Sequence, residues 1–331
     1  MKKSRTRVKT KPTISIVIVN WNTKKYLAKC LSSIYRNKPS ALLEVIVIDN
    51  NSKDDSAEMV RKKYLWVKLI ANKENKGFAG GNNQGWKKSR GKYILFLNPD
   101  TIVHKKCLGL MIDFMEKNQQ AGSCSAKLIN PDGSDQKLGF YRRTPTLLKV
   151  FFSHSPIAAA ILRIPYFREQ FFEHTDFSKI QEIDQPPGAC FFTRRSILKK
   201  IGVMDEAYTL YFEDVDLAYR IKQAGWKQYF LPDAVVTHFV GRSTMQIGHG
   251  KRSFLYYKSM IKFFKKFYGI NHVRFAGVLA LTRFLYELAV LSILSIPRKI
   301  SSGWGGRDTI QQQFGYTIKW VKIMLHDYEG I

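Results

Sequence analysis

Acidic residues are scarce in this chain of 331 residues, which has 26 Asp and Glu against 54 Lys and Arg and a formal net charge of +28. Residues 1–43 contain eleven Lys or Arg and no acid, and residues 251–274 contain seven and again no acid. Acid-free cationic segments favour polyanions, either nucleic acid or the anionic face of a bilayer. Because carboxylates are so few, the places where they cluster are informative about function.

Cysteine is rare as well. The four cysteines (Cys30, Cys107, Cys124 and Cys190) are widely spaced and form no C-x-x-C pair. This spacing argues against a zinc ribbon or a disulfide framework and favours a reducing compartment. With 45% hydrophobic residues, a chain of this length can bury a full core without such staples.

Long apolar runs are nearly absent. The run 14–19 is too short for a signal peptide and has no small-residue cleavage site, so residues 1–12 are predicted to be a basic tail. The most apolar stretch, 275–297, contains Arg283 and Glu287. Each charge would cost on the order of 3 kcal/mol at a bilayer centre. A helix hairpin, packed on the protein or lying in the membrane interface, is therefore expected rather than a spanning helix.

Short β-branched or aromatic runs alternate with helix-like segments along the first hundred residues. The runs are 14–19, 45–48, 67–70 and 93–97, and the helical segments are 24–36, 54–64 and 80–90. Nearly continuous apolar runs are typical of strands covered on both faces. Ser52 with Asp55 predicts a cap for the second helix. The alternation predicts a doubly wound α/β sheet.

Polar residues follow each of these four runs. In open α/β sheets ligands bind outside the carboxyl ends of the strands. Any one such residue is explained as a turn former, whereas four in succession predict a nucleotide cleft. The candidate nucleotide-binding residues are Asn20, Asn22, Asp49, Asn51, Asn75, Gly77, Gly80, Asn83 and Asn98.

The glycine-rich segment 75–83 is a weaker signal. It lies between a strand and a helix, where exposed backbone N–H groups can approach a nucleotide. It lacks the G-K-[ST] of a P-loop and the spacing of a dinucleotide fingerprint. A glycine-rich helix entry explains it equally well.

Asn98-Pro99-Asp100 places a carboxylate just past a buried strand. Mg²⁺ and Mn²⁺ are usually held by one or two carboxylates together with phosphate oxygens. Taken alone, the tripeptide is a Pro-Asp turn. His238, at the end of a short strand over 235–238, is a second candidate ligand through neutral imidazole, although a lone histidine is more often structural.

Three acids in four positions, Glu213, Asp214 and Asp216, precede a helix predicted over 214–224 and closed by Gly225. Helix capping accounts for one or two of them, most naturally Asp216. The preceding Leu, Tyr and Phe residues should place at least one carboxylate in a cleft of low dielectric. Its basicity would rise there, which suits it to accept a proton from a hydroxyl.

An apolar helical stripe is predicted from Phe254, Tyr257, Ile261, Phe264 and Tyr268, with lysines on both sides. A basic helix with an aromatic face suits an anionic membrane surface. Packing on the rest of the protein is the alternative, and the sequence leaves both open.

These segments, in this order, resemble the family-2 inverting glycosyltransferases with a GT-A fold, and among them the rhamnosyltransferase-like, non-processive bacterial branch. The matching segments are 15–22, 47–52, 75–83, 97–100, 187–192, 212–216 and His238. The resemblance implies a Rossmann-like α/β mixed sheet flanked by helices over 13–245. Residues 246–331 would form a basic helical extension that associates with membranes.

The resemblance also implies roles. Asn20, Asn22 and Asp49 would contact the base and ribose of the nucleotide. Asp100 would bind the metal with help from His238, and Asp214 would be the catalytic base with Glu213 alongside. The sugar and acceptor pocket would be lined by Gly188, Ala189 and Trp21.

Two departures from the family pattern bear on chemistry. Asn98 stands where the family often has the first acid of an Asp-x-Asp metal motif, which lowers the expected metal affinity. A Gln-x-x-Arg-Trp motif of processive synthases is absent, so transfer of a single sugar is expected.

The implied function is inverting transfer of one sugar from a nucleoside-diphosphate sugar to a glycan or lipid-linked acceptor, with Mg²⁺ or Mn²⁺ as cofactor. The expected location is cytoplasmic, on the anionic inner face of the cell membrane, and a homodimer is left open. A nucleic-acid-binding protein is the main rival, but clustered carboxylates would repel phosphates unless a cation intervenes. A nucleotidyltransferase, a dehydrogenase and a nucleotide-sugar-binding protein without transferase activity are further alternatives.

Overall fold

The structure is a computed structural model that describes residues 11–136, 144, 146, 178–275 and 278. In chain order its elements are β1 (Ile14–Asn20), α1 (Lys24–Arg36), β2 (Leu43–Asp49), α2 (Ser56–Lys63), β3 (Lys68–Ala71), α3 (Gly77–Lys88), β4 (Tyr93–Leu97), β5 (Thr101–Val103), α4 (Cys107–Lys117), β6 (Ala121–Ile129), β7 (Gln181–Glu182), β8 (Cys190–Arg194), α5 (Arg195–Ile201), α6 (Glu213–Gln223), β9 (Lys227–His238) and α7 (His249–Tyr268).

The strands form one mixed sheet in the order β3-β2-β1-β4-β8-β6-β9-β5, with β7 beside β9. The first four strands along the chain are mutually parallel. β8 runs antiparallel to both β4 and β6, and β5 runs antiparallel to β9. The expected mixed α/β sheet flanked by helices is confirmed.

Both faces of the central strands are covered, which explains their continuous apolar sequences. Every residue of β1 and of β4 is buried. The apolar stripe of α1, Leu27, Leu31 and Ile34, is fully buried on one side of the sheet. Burying each such side chain contributes about 1.5–3 kcal/mol. The four cysteines are all buried and free, as their spacing predicts.

The helix after β3 begins at Gly77 rather than Gly80, so most of the glycine-rich segment is helix and not loop. Its glycines allow close packing on β1. A Cβ at Gly81 would lie 2.8 Å from Val19 Cγ1, and a Cβ at Gly85 would lie 2.3 Å from Val17 Cγ1. The helix-entry interpretation is correct for this part of the segment.

The predicted cap of α2 is wrong. The helix begins at Ser56 without a side-chain cap, and Asp54 Oδ1 accepts hydrogen bonds from Ser56 N at 3.1 Å and from Ser56 Oγ at 2.5 Å. Ser52 points the other way, toward the loop that follows β1. The expected glycine stop of α6 is present, because Gly225 has φ +83° and its N–H bonds to Lys222 O at 2.9 Å.

The apolar face of α7 packs on α6 and on the loop that precedes it. Ile261, Phe263 and Phe264 are buried in one cluster with Tyr208 and Phe212. Of the two alternatives for this stripe, packing on the protein is therefore the one observed at Ile261 and Phe264. The side chain of Tyr257 and nearly all of 275–297 lie outside the described residues. Among the helices that the structure describes, none has the length and apolarity needed to cross a bilayer.

Candidate active site

The carboxyl ends of β1 and β2 bring Asn20 and Asp49 together. The two residues are paired in the parallel register, both are buried, and Asn20 Nδ2 donates to Asp49 Oδ1 at 2.9 Å. Asp49 Oδ2 accepts from Ser52 N at 3.0 Å. This network holds the first two strand ends in a fixed geometry.

The two turns that flank this pair have left-handed backbone at Asn22 (φ 51°) and Asn51 (φ 60°), a conformation that Asn tolerates. Ser52 Oγ accepts from Asn22 N at 3.0 Å and so ties one turn to the other. The sequence does not predict Ser52 as a site residue, because its spacing from Asp55 indicates a helix cap instead. Trp21 is half-buried in the first turn.

Asn50 joins the third strand end to this cluster and was also missed. Its Nδ2 donates to Gly77 O at 2.9 Å, and its Oδ1 accepts from Asn72 Nδ2 at 2.9 Å. Asn75 Oδ1 accepts from Gly77 N at 2.9 Å, which turns the chain into α3. Gly77 has φ +72° and needs glycine for that reason.

Asn83 and Gly80 face a different partner, the segment 204–206. Asn83 Nδ2 donates to Met204 O and to Glu206 Oε1, each at 2.8 Å, and a Cβ at Gly80 would lie 3.5 Å from Glu206 Oε2. The structure therefore brings these two residues to the loop that leads to α6, and not to the Asn20–Asp49 pair.

Asp100 and His238 lie together, as predicted. Thr101 and His238 are paired in the β5–β9 register, and His238 Nε2 is 3.5 Å from Asp100 Oδ1. Asp100 Oδ2 also accepts from Arg242 N at 3.2 Å. Although burial acts in the opposite direction, the hydrogen bonds from His238 and Arg242 lower the pKa of Asp100. The carboxylate is therefore ionised at neutral pH.

Asn98 offers a further oxygen ligand next to Asp100 and His238. Its Oδ1 is buried and has no hydrogen-bond partner among the described residues. A buried amide oxygen normally accepts a hydrogen bond. An amide oxygen that lacks a donor and lies two residues before Asp100 is therefore suited to bind a cation. The described residues contain no cluster of three His, Cys, Asp or Glu suited to a metal. The available set of one carboxylate, one imidazole and one amide oxygen still fits Mg²⁺ or Mn²⁺ that shares phosphate oxygens.

A short path of hydrogen bonds and adjacent residues connects Asn98 to Asp214. Asn98 N donates to Ala189 O at 3.0 Å, and Gly188 N donates to Asp214 Oδ2 at 2.9 Å. A Cβ at Gly188 would lie 2.8 Å from the same Oδ2 atom, so Asp214 can approach only because residue 188 is glycine. Residues from β4, β8 and α6 thus meet at one place.

Glu213 is the carboxylate in the low-dielectric environment. It is 6% exposed, and its Oε2 has no hydrogen-bond partner within the described part of the chain. Burial, and secondly the neighbouring Asp214, raise its pKa to about 8. Glu213 is therefore largely protonated at neutral pH, where it can donate a hydrogen bond but cannot act as a base.

The assignment of Asp216 as a helix cap is wrong. α6 has no side-chain cap, and Asp216 is fully buried. Its carboxylate accepts hydrogen bonds from Tyr208 OH at 3.1 Å, Arg220 Nε at 2.5 Å and Lys266 Nζ at 2.6 Å. Lys266 lies fifty positions away in the chain, so local sequence rules could not identify this partner.

Comparison with known proteins finds relatives in sequence and in fold. A rhamnosyltransferase of Mycobacterium tuberculosis, N-acetylglucosaminyl-diphospho-decaprenol L-rhamnosyltransferase, is 25% identical over 70% of this chain and 77% of its own length. GalNAc-T7, solved with UDP, GalNAc and Mn²⁺, superposes with a TM-score of 0.53 at 19% identity over 69% of this chain and 43% of its own. A mannosyltransferase of Pyrobaculum calidifontis, solved with GDP-Man and Mn²⁺, gives 0.53 at 16% identity over 97% and 89%.

The sheet and its solved neighbours show the GT-A fold. The family model described as Glycosyl transferase family 2 matches residues 15–202, which is more than half of the chain. The chain belongs to glycosyl transferase family 2.

Proposed function

We propose that this glycosyltransferase moves a single sugar from a nucleoside-diphosphate sugar to an acceptor hydroxyl with inversion at the anomeric carbon. The observation that carries the proposal is the backbone path from Asp100 through Asn98, Ala189 and Gly188 to Asp214. It links the candidate cation site to the candidate base.

Asp214 is the proposed base. It accepts the proton of the acceptor hydroxyl as that oxygen forms a bond to the anomeric carbon, and the bond from that carbon to the diphosphate oxygen breaks on the opposite face. The N–H groups of Gly188 and Val215 orient the carboxylate at 2.9 Å each. Glu213, protonated at neutral pH, would donate a hydrogen bond to the acceptor rather than compete for its proton.

Asp100, His238 and the Asn98 amide oxygen would hold the divalent cation. When bound, such a cation neutralises negative charge that develops on a departing diphosphate. The role of the protein residues is to fix that charge beside the sugar pocket. Because Asn98 brings no charge of its own, we expect weaker metal binding than at a site with two carboxylates.

The nucleotide would lie along the strand ends occupied by Asn20, Asn22, Asp49 and Asn51. The hydrogen bonds from Asn20 to Asp49 and from Asn22 to Ser52 support a preformed nucleobase and ribose subsite. Asn75 and Gly77 would border it through Asn50. Gly188, Ala189 and Trp21 are the proposed lining of the sugar pocket.

Rhamnose, carried as dTDP-rhamnose, is the first candidate sugar, and UDP-sugars are the second. The relative named as a rhamnosyltransferase acting on a diphospho-decaprenol supports both rhamnose and a lipid-linked acceptor in cell-surface polysaccharide synthesis. A nucleotide-sugar-binding protein without transfer activity is the second candidate function. Glu213 Oε2, which is buried next to Asp214 without a hydrogen-bond partner among the described residues, argues against it.

A donor panel tests the proposal. The full-length protein is incubated with dTDP-rhamnose, UDP-glucose and UDP-N-acetylglucosamine, with and without Mn²⁺, and a polyprenyl-diphosphate-linked sugar as acceptor. We expect one donor to be consumed in a cation-dependent reaction, with an inverted anomeric centre in the product by NMR. Binding of a nucleotide sugar without release of nucleoside diphosphate would favour a nucleotide-sugar-binding protein without transfer activity. A retained configuration at the anomeric carbon would exclude the proposed mechanism.

A cytoplasmic location on an anionic membrane surface remains part of the proposal, supported by the acid-free cationic segments 1–43 and 251–274. Because the apolar face of α7 is covered by protein, attraction would be mainly electrostatic, and salt should weaken it. Flotation with anionic and with neutral liposomes tests it, and equal binding to both would contradict it. The homodimer is tested by the mass of the protein in solution.

A further inference from the structure

The loop that leads into α6 has a strained backbone. Tyr211 and Phe212, directly before Glu213, both adopt left-handed φ angles of 64° and 67°. Bulky side chains rarely adopt this conformation, and it persists only where the surroundings impose it. Something outside the loop must therefore hold it.

α7 supplies those surroundings. Ring centroids of Phe263 and Tyr256 lie 5.7 Å and 5.4 Å from that of Phe212, and Phe263 is fully buried. Ser259 Oγ donates to Leu210 O at 2.7 Å. The helix thus contacts three consecutive residues, 210 to 212, through hydrogen bonding or ring packing.

Lys266 of α7 closes the loop at its two ends. Its Nζ donates to Asp205 Oδ2 at 2.8 Å, where the loop begins, and to Asp216 Oδ2 at 2.6 Å, in the first turn of α6. Asp216 is fully buried, so the loss of one of its cationic partners is costly. Arg220, the other cation on Asp216, donates to Ile201 O at 2.8 Å and fixes the opposite side.

We propose that Lys266 is a positioning residue for sugar transfer, which holds Glu213 and Asp214 in place by bridging Asp205 and Asp216 across the strained turn. The inference rests on the proposed function, in which Asp214 is the base. The basic helix α7 then belongs to the catalytic machinery, although it lies after the catalytic domain expected from sequence.

The test compares full-length Lys266→Met, Lys266→Arg and Lys265→Met, the last an exposed neighbour on the same helix. Since a shift of about 1 Å at a reacting group can cost about 100-fold, we expect kcat of Lys266→Met to fall about 10- to 100-fold. The KM for the donor and the Kd for UDP with Mn²⁺ should stay within about 2-fold, because these report a different part of the cleft. Arginine keeps the cation and should restore most of kcat, and Lys265→Met should match the wild type.

A kcat near the wild-type value in Lys266→Met would overturn the inference, as would an equal loss of UDP affinity. If Lys266→Met does not fold, Asp205→Asn removes only one half of the bridge, and an unchanged kcat in that variant would overturn it too. A wild-type protein that neither binds UDP or dTDP nor transfers sugar would fail the proposed function itself, and this inference with it.

Discussion

The two halves of the cleft are built in different ways. On the β1–β2 side, Asn20, Asp49 and Ser52 bond to one another through neutral or singly charged contacts between adjacent strand ends. On the α6 side, three acids are crowded into one turn. Asp214 accepts a hydrogen bond from Gly188, and Asp216 is paired with Arg220 of the same helix and with Lys266 of α7. In the first half the polar groups bond to one another, which makes that half rigid. The second half has several carboxylates and a strained backbone turn next to the proposed site of sugar transfer.

The largest effect is expected at Asp214. Since a positioned base contributes roughly 10²- to 10⁴-fold, Asp214→Asn should lower kcat by at least that range and leave the Kd for UDP with Mn²⁺ unchanged. Asp113→Asn, an exposed acid on α4, is the matched control. Near-normal turnover by Asp214→Asn would remove it as the base.

The next effect is expected at Asp100. Losing the carboxylate of the candidate cation site formed by Asp100, His238 and Asn98 should raise the Mn²⁺ concentration for half-maximal transfer by at least about 10-fold, since even indirect partners of a metal contribute 10- to 100-fold to affinity. A Mn²⁺ titration of Asp100→Ala against the wild type measures this. Identical titrations would place the cation elsewhere.

A single methyl group at Gly188 tests whether the contact between Gly188 and Asp214 matters for transfer. The added Cβ would lie 2.8 Å from Asp214 Oδ2 and must displace the carboxylate, so kcat of Gly188→Ala should fall by about 10-fold or more. At Gly109 on α4 a Cβ meets nothing within 4 Å, and Gly109→Ala should keep full activity. Equal kinetics of the two variants would mean that the Gly188–Asp214 contact is unimportant.

The smallest effect concerns stability. The pKa of Glu213 is raised from 4.5 to about 8 by burial and by Asp214, so the folded state retains a proton that the unfolded state has lost. The stabilisation is complete below about pH 4.5 and disappears as pH rises through about 8. Relative to the wild type, Glu213→Gln should gain melting temperature at about pH 8.5 compared with about pH 5.5. A constant difference between the two melting temperatures across that range would contradict the buried, protonated carboxyl.

Local sequence patterns predicted the β1–β2 side of the cleft well. α1 and β4 have the expected bounds, and the strand ends converge as expected because parallel strands bring their carboxyl ends to one edge. The pairing of Asp100 with His238 came from the family resemblance rather than from spacing.

The other half could not be predicted from local patterns. α3 begins three residues earlier than expected, at Gly77, and Asn83 Oδ1 on this helix accepts a hydrogen bond from the distant Met204 N. Asp216 looks like a cap in sequence, but its stabilising partners include Lys266 on the next helix. Long-range ion pairs of this kind leave no periodic signal in the chain.

A crystal structure of the full-length protein with UDP or dTDP and Mn²⁺ tests the central claim most directly, namely that Asp100 and Asp214 serve the same donor. We expect the cation about 2.1 Å from an oxygen of Asp100. The nucleobase should lie beside the Asn20–Asp49 pair, and the diphosphate should face the Gly188–Asp214 hydrogen bond. A nucleotide bound away from Asp100, or Asp214 facing a surface that the diphosphate does not reach, would contradict it.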